Sequence, residues 1–108
     1  MREIKNAVIK GYRINIARGF ALSLWLDLDY GGLYQGFGGY CLYHTTSGES
    51  KDYAGEFIAK TMQVVGVNDL ADVVGKTIRV ESDRCKVHRI GHIVKDEWFC
   101  PAEMFSDE

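Results

Sequence analysis

Asp27 and Asp29 are the carboxylates whose spacing comes nearest to what acid–base chemistry requires. They stand in an alternating stretch, so on a β-strand both lie on one face, about 7 Å apart. Alternating acids are also the usual solvated face of a half-buried strand. Because the sequence shows no acid partner or substrate pocket for them, we interpret both as surface charges, predict no catalytic residue and lean against an enzyme.

A cysteine and histidine pattern superficially resembles the spacing of zinc ligands. It is C-x2-H-x3-H-x7-C, formed by Cys85, His88, His92 and Cys100. Histidines four residues apart share one side of a helix, but on a strand they stand about 13 Å apart. Since the surrounding residues have the pattern of a β-hairpin, the sequence predicts neither a metal site nor a cofactor.

The stretch LDYGGLYQGFGGY, residues 28–40, places glycines among aromatic residues. A phosphate-binding loop needs backbone amides at the start of a helix and usually a lysine. Here the next segment has a strand pattern, and no Lys or Arg lies between Arg18 and Lys51. In the structural interpretation Gly31 and Gly32 make a turn with positive φ, and the later glycines bend the strand or let aromatic rings lie against bare backbone.

The same stretch supports a second interpretation, a loop that binds a partner. Aromatic side chains are effective anchors in protein interfaces. In this interpretation the contacts come from Tyr34, Gln35, Phe37 and Tyr40, and electrostatic complementarity comes from Asp27, Asp29 and the acidic C-terminal segment. Both interpretations stay open at the level of the sequence.

Charge is unevenly distributed, although the net charge is only −2. A basic ribbon between Lys76 and Lys95 precedes an acidic segment from Asp96 to Glu108. The side chains of the ribbon that could contact an anion are Arg79, Arg84, Lys86 and Arg89. Nucleic-acid binding needs a basic surface, so the net charge argues against it. The separation of charges also suits a protein partner or a self-complementary homodimer.

Cysteine usage and hydropathy predict a cytoplasmic protein with reduced thiols. Cys41, Cys85 and Cys100 lack the spacing of a disulfide framework, and the first twenty residues lack the apolar stretch of a signal peptide. No run of about 18 apolar residues is available to cross a membrane. We expect Cys41 to lie inside a strand and to be buried.

The first segment, YRINIA at residues 12–17, has the two-residue period of a strand that buries one face. The residues predicted to share that buried phase are Ile4, Val8, Tyr12, Ile14 and Ile16. The strand is expected to begin near Arg2 and to bend at Gly11. Arg18 and Gly19 then supply a hairpin turn.

The next segment alternates most strictly and predicts a strand from residue 21 to residue 30. Its apolar face consists of Leu22, Leu24, Leu26, Leu28 and Tyr30. Leucine favours helices, so propensity alone would mislead here. A further strand, GGYCLYH, is predicted after the glycine-rich stretch.

From Lys51 the apolar spacing changes to the period of an amphipathic helix. The predicted core-facing residues are Ala54, Phe57, Ile58, Thr61, Met62 and Val65. Ser50 or Asp52 can cap its start, and Gly66 suits its end. A short helical turn is expected from Asn68 to Gly75.

The C-terminal third has the pattern of a β-hairpin followed by a helical turn. TIRVE points Ile78 and Val80 inward, and its partner KVHRIGHIVKD requires either burial on both faces or a bulge near Gly91. A helical turn is predicted at Pro101, with aromatic residues of the tail fixing it to the body. The sequence thus predicts one domain, residues 1–108, of the α+β class: an antiparallel β-sheet, open or curled towards a partial barrel, with one main α-helix packed on it and a C-terminal hairpin.

The motifs LDYGG, QGFGGY, GKTIRVE and IGHIVKDEWFCP, with the helix between them, resemble a family of small accessory proteins encoded by bacteriophages and prophages. The resemblance covers most of the chain and implies a cytosolic life inside an infected bacterium. It carries no catalytic motif. Small proteins of this class often act by occupying a surface of a host protein complex, so the resemblance implies binding rather than catalysis.

The sequence supports three functional hypotheses. The leading one is a non-enzymatic phage or prophage protein that binds a host protein, such as a CRISPR-type defence complex, and inhibits or redirects it. The alternative is a small-ligand protein that sequesters a nucleotide signal with the glycine-rich backbone and the basic residues of the C-terminal hairpin. A small hydrolase or metal enzyme ranks third.

Overall fold

The computed structural model describes residues 1–47 and 52–105. In chain order its elements are strands β1 (Glu3–Ala17), β2 (Ala21–Asp29), β3 (Tyr34–Gly38) and β4 (Tyr43–His44), helix α1 (Ala54–Val65), a 3₁₀ helix (Leu70–Val73), strands β5 (Thr77–Ser82), β6 (Val87–Gly91) and β7 (Trp98–Phe99), and helix α2 (Pro101–Phe105). The strands of the described residues form an antiparallel sheet of order β3-β2-β1-β5-β6-β7, with β4 also paired to β2. The predicted α+β class with one main helix is confirmed.

A bulge divides β1 into two halves that bury opposite phases. Ile9 faces Leu28 and Gly11 faces Asp27, so Lys10 is the extra residue. Before the bulge the odd-numbered Ile9 is in the core, whereas beyond it the even-numbered residues lie opposite the apolar side chains of β2. The irregularity expected at Gly11 is thus a β-bulge directly before it.

The bulge also overturns part of the strand prediction. Ile4 precedes it and so lies on the opposite face of the sheet from Tyr12, Ile14 and Ile16, instead of sharing their phase. All four side chains are exposed, so the prediction that this phase is buried is wrong. Tyr12, Ile14 and Ile16 lie in the second half of β1, which is exposed on both faces, whereas Ile4 lies in the first half on the outer face of the sheet.

Trp25 explains the glycines of β3. Its ring lies across the outer face of the neighbouring strand, where a Cβ on Gly36 would stand 3.0 Å from the ring and one on Gly39 only 2.1 Å. Glycine is thus required at these positions because a Cβ would clash with the indole, as the structural interpretation of the glycine-rich stretch predicted. The stretch is not a loop throughout, since Tyr34–Gly38 forms the strand β3.

The sheet curls, and aromatic rings fill its concave side. Phe37 from β3 lies 5.9 Å from Phe57 of α1 and 6.1 Å from Phe99 of β7, measured between ring centroids. These contacts bring the two ends of the strand order towards each other across the core. The sequence left an open sheet and a partial barrel as alternatives, and the observed sheet curls without closing into a barrel.

Helix α1 begins and ends close to the predicted residues. Its buried side chains are Phe57, Thr61, Val64 and Val65, with Val64 more deeply buried than the predicted Met62. The N-cap residue is Tyr53, which makes no side-chain cap hydrogen bond, rather than the predicted Asp52, although Asp52 Oδ1 accepts a hydrogen bond of 2.9 Å from Ala54 N–H. Gly66 ends the helix at φ 89°, as predicted. The alternative cap, Ser50, lies outside the described residues.

The β5–β6 hairpin buries Ile78 and Val80 as predicted. Glu81 pairs with Arg89 and Ser82 with Val87, so the bulged residue is His88, three positions before the predicted Gly91. This bulge places both Val87 and Ile90 in the core.

Two smaller differences concern Cys41 and the start of the 3₁₀ helix. Cys41 is exposed and the adjacent Leu42 is buried instead, because the chain leaves the sheet between β3 and β4. The 3₁₀ helix is capped by Asp69 rather than started by Asn68. The C-terminal helix does begin at Pro101. Among the described residues, no helix has the length and hydropathy needed to cross a membrane.

Candidate functional site

The turn between β2 and β3 is held in one shape by Asp29. Its Oδ1 accepts hydrogen bonds of 2.8 Å from both Gly31 N–H and Gly32 N–H. These glycines have φ of 83° and 110°, as predicted for this turn. The bond from Gly32 is the largest cause that lowers the pKa of the Asp29 carboxyl. The turn is thus fixed by local hydrogen bonds rather than by burial.

This fixed turn presents two apolar side chains to solvent. Leu33 is 69 % exposed and Tyr34 is 68 % exposed. Tyr30 N–H donates a hydrogen bond of 2.8 Å to Leu33 O, which closes the turn directly beneath them. Two adjacent, exposed, large side chains on a rigid turn have the character of interface anchors.

The turn forms one side of a groove of about 780 Å³, which we call the rim groove. Its other sides are the start of β1 and the turn between β5 and β6. The lining residues are Met1, Glu3, Lys5, Tyr30, Leu33, Tyr34, Gln35, Ser82, Asp83, Arg84 and Cys85.

Asp83 organises the opposite side of the rim groove. Its Oδ1 accepts hydrogen bonds from Cys85 N–H at 2.8 Å and Lys86 N–H at 3.0 Å, and its Oδ2 lies 2.7 Å from His88 Nε2. The hydrogen bond with His88 is the largest of the causes that hold the pKa of the Asp83 carboxyl far below its usual range. The carboxylate is therefore occupied by its own turn, and the turn displays Arg84 outward.

A chain of hydrogen bonds connects the two sides of the groove. Gln35 Nε2 donates to Asp83 O at 3.0 Å, and Tyr30 Oη donates to Gln35 Oε1 at 2.9 Å. Burial raises the pKa of the Tyr30 hydroxyl, while a hydrogen bond with Ser82 opposes that rise. The phenol is thus a neutral donor at the floor of the groove.

Arg84 supplies an exposed cation to the rim groove. Its side chain is exposed and makes no hydrogen bond or ion pair with the residues that the structure describes. Lys5, in contrast, lies 3.7 Å from Glu3 and 5.5 Å from the Tyr30 ring. The groove therefore offers apolar surface from the β2–β3 turn and, facing it, the guanidinium of Arg84.

Two of the predicted partner contacts, Tyr34 and Gln35, line the rim groove, and so does Arg84 from the predicted anion-contacting set. Phe37 is 1 % exposed, so the prediction that it contacts a partner is corrected: its ring belongs to the core. Tyr40 is half-buried and packs 5.2 Å from the Phe105 ring, which gives it a structural role as well.

Asp27 and Asp29 share the outer face of β2, as the alternation predicted. Asp29 is occupied in capping its turn, and Asp27 is exposed, with Oδ2 3.2 Å from where a Cβ on Gly11 would stand. The two carboxylates do not line the rim groove. They therefore lie apart from Tyr34 and Gln35, which do line it.

The basic ribbon does not converge on one site. Arg79 donates hydrogen bonds of 2.7 Å to the carbonyl oxygens of His92 and Lys95, and its guanidinium lies 4.8 Å from the centroid of the Trp98 ring. The guanidinium of Arg89 lies 4.1 Å from the centroid of the same ring and pairs with Glu81 at 3.2 Å. These two arginines support the fold.

Lys86, the last of the four residues predicted to contact an anion, and the two histidines of the zinc-like pattern also have partners within the fold. Lys86 Nζ lies 5.6 Å from the Tyr40 ring. His92 Nδ1 accepts hydrogen bonds of 3.0 Å from the backbone N–H groups of Val94 and Lys95, whereas His88 faces Asp83. Within residues 1–47 and 52–105, no three His, Cys, Asp or Glu side chains come together as a metal site.

Sequence reasoning missed Leu33 and Tyr30 as parts of the site. The available signal was the order Asp-Tyr-Gly-Gly-Leu-Tyr at residues 29–34: an aspartate before two glycines typically caps its own turn and leaves the next side chains outside. The pairing of this turn with the distant residues 82–85 has no local signal.

Comparisons of the chain with protein-family models, with curated proteins and with solved structures found no match. The rim groove is therefore interpreted from its own geometry.

Proposed function

We propose that this chain is a non-enzymatic binding protein that docks a partner protein in the rim groove. The observation that carries the proposal is the pair Leu33 and Tyr34, each about two-thirds exposed, on a turn that Asp29 fixes at the mouth of the groove. Exposed aromatic and aliphatic side chains on a rigid support bind with little loss of conformational entropy.

The chemistry of the groove defines the partner segment. Leu33 and Tyr34 favour an apolar side chain seated between them and the β1 start, and the exposed guanidinium of Arg84 favours a carboxylate next to it. A partner segment with an acidic residue beside an apolar one satisfies both.

The resemblance to phage and prophage accessory proteins gives the proposed source of that segment, a protein of the bacterial host. We name a CRISPR-type defence complex as the first candidate, with inhibition by occupation of its surface. The rim groove supports this mode of action because its contact residues lie on two turns that hydrogen bonds already hold in shape.

The test is a capture experiment from bacterial lysate with four immobilised proteins. Wild type and Val94→Ser, which alters an 82 % exposed apolar residue away from the groove, should retain the same host protein. Leu33→Ser combined with Tyr34→Ser, and separately Arg84→Glu, should lose it. Retention by both groove variants would overturn the proposal.

A second candidate function is sequestration of a small anionic ligand, such as a nucleotide. Its support is that the groove volume falls in the range of small-molecule sites and that Arg84, Tyr34 and Gln35 converge there. A ligand that binds only the native state raises the melting temperature. A nucleotide that raises it for wild type but not for Arg84→Ala would favour this function over the first.

A further inference from the structure

The second half of β1, residues 11–17, forms an exposed strand edge that we call the free edge. β5 pairs with β1 from Glu3 to Val8, and Ile9 exchanges backbone hydrogen bonds with Gly75 and Lys76, which precede β5. From Gly11 onward β1 has a partner on one side, β2, in the described structure. Every residue from Tyr12 to Ile16 is exposed. Such an edge is a template for pairing with another strand.

The free edge carries an apolar stripe. Tyr12, Ile14 and Ile16 are 36 %, 47 % and 54 % exposed, and they lie on the face that carries the core in β2. Edge strands are usually blunted by proline, by several charges or by a covering element. This one contains no proline and a single charge, Arg13.

We propose that the chain forms a homodimer in which the free edges of two copies pair antiparallel about a two-fold axis at Ile14. Residues 11–17 are centred on Ile14, so this register pairs all seven of them. Ile14 then faces Ile14 of the partner copy, and Tyr12 faces Ile16. The apolar stripes of both copies become one continuous row.

The polar face of the free edge is complementary in the same register. Arg13 faces Asn15 of the partner copy, and the same pair recurs on the other side of the axis. A register centred on Arg13 would instead place two guanidinium groups opposite each other, which is unfavourable in a sheet. A register centred on Asn15 would leave Tyr12 without a partner inside the strand.

The dimer joins the β3-β2-β1 portions of two copies into one sheet and leaves the rim groove open. None of the residues that line the groove belongs to the free edge. The homodimer is therefore independent of the proposed function, and either can fail without the other.

The oligomeric state tests the proposal by sedimentation velocity across a range of protein concentrations. Wild type should sediment as a dimer, of twice 12.2 kDa. Ile14→Lys should be monomeric, because two ammonium groups would meet at the axis. Ile4→Lys is the matched control, since Ile4 is 57 % exposed on the same strand but lies where β5 covers the edge, and it should remain dimeric.

The self-pairing of Ile14 allows a sharper test. An equimolar mixture of Ile14→Lys and Ile14→Glu should restore a dimer that neither variant forms alone, because lysine then faces glutamate across the axis. Far-UV circular dichroism checks that both variants are folded. If Ile14→Lys does not fold, Ile14→Thr, which keeps the β-branch, should weaken the dimer by about tenfold or more.

Two results would overturn the proposal. One is a wild-type monomer at every concentration. The other is a dimer that survives both Ile14→Lys and Ile14→Thr, which would place the interface elsewhere.

Discussion

Gln35 Nε2 donates a 3.0 Å hydrogen bond to the backbone oxygen of Asp83, and this bond joins the edge strand β3 to the turn between β5 and β6. β3 is the first strand of the order and β5 and β6 are the fourth and fifth, so the two residues meet only because the sheet curls. Oε1 of the same glutamine accepts a hydrogen bond of 2.9 Å from the hydroxyl of Tyr30. One side chain therefore fixes the width of the rim groove.

Replacing Gln35 tests this link. Gln35→Ala removes both hydrogen bonds and should lower the free energy of unfolding by about 1–2 kcal/mol, measured by urea denaturation. Gln35→Glu keeps the acceptor for Tyr30 but places a carboxylate oxygen opposite the carbonyl oxygen of Asp83, so its loss should be at least as large at neutral pH. Gln63→Ala, at an exposed position of α1, is the control and should change stability by less than about 0.5 kcal/mol. Equal effects at Gln35 and Gln63 would contradict the link.

Phe37 and Tyr34 should respond oppositely to truncation. Phe37→Ala empties a site between the rings of Phe57 and Phe99 and should cost about 3–5 kcal/mol in chemical denaturation. Tyr34→Ala removes a 68 % exposed side chain and should change stability by less than about 0.5 kcal/mol while weakening partner binding. A large loss of stability from Tyr34→Ala would assign it to the fold and remove it from the site.

Gly39 and Gly19 offer a matched pair for the packing of Trp25. Both have positive φ, 78° and 81°, so alanine strains the backbone at each by about 1–2 kcal/mol. At Gly19 the new Cβ meets no atom within 4 Å, whereas at Gly39 it would lie 2.1 Å from the Trp25 ring. Gly39→Ala should therefore lower the melting temperature more than Gly19→Ala and should also change the tryptophan fluorescence. Equal shifts would mean that the indole does not need the bare backbone.

Acid should loosen the turn that displays Arg84. Because the folded-state pKa of Asp83 lies below its unfolded value of about 3.9, its ionised form stabilises the fold above that pH, and the contribution is lost as pH falls towards the folded-state pKa. Thermal unfolding from pH 7 to pH 2 should show a steeper loss below pH 4 for wild type than for Asp83→Asn. Asp72→Asn, on the 3₁₀ helix, should keep the wild-type slope. Parallel curves for wild type and Asp83→Asn would contradict this assignment.

Local periodicity was sufficient for much of the fold. The leucines of β2 alternate without interruption and no bulge lies between them, so their buried face could be predicted from the sequence. The helix α1 was equally accessible, because its apolar stripe and its terminal Gly66 agree.

The sequence carries no comparable signal for the bulges of the strands, or for whether another element packs over an apolar strand face. Lys10 and His88 are bulged residues with ordinary side chains, and each reverses the phase of the strand residues after it. Ile14 has the pattern of a buried residue, yet burial depends on whether another element covers it. The prediction that Phe37 lies on a binding loop is wrong because Gly36 faces Trp25 on the outer side of the sheet and the next residue, Phe37, therefore faces the core. No local pattern in the sequence reveals that contact between neighbouring strands. The candidate site needed the curl of the sheet, which brings residues 33–35 and 82–85 together.

Hydrogen–deuterium exchange of the chain, alone and with the captured host protein, would locate the partner site in a single experiment. We expect added protection in the β2–β3 turn, residues 30–35, and in the β5–β6 turn, residues 82–86, with little change on the exposed segment around Val94. Protection confined to the β6–β7 region, or no protection at the two turns, would contradict the assignment of the rim groove as the partner site.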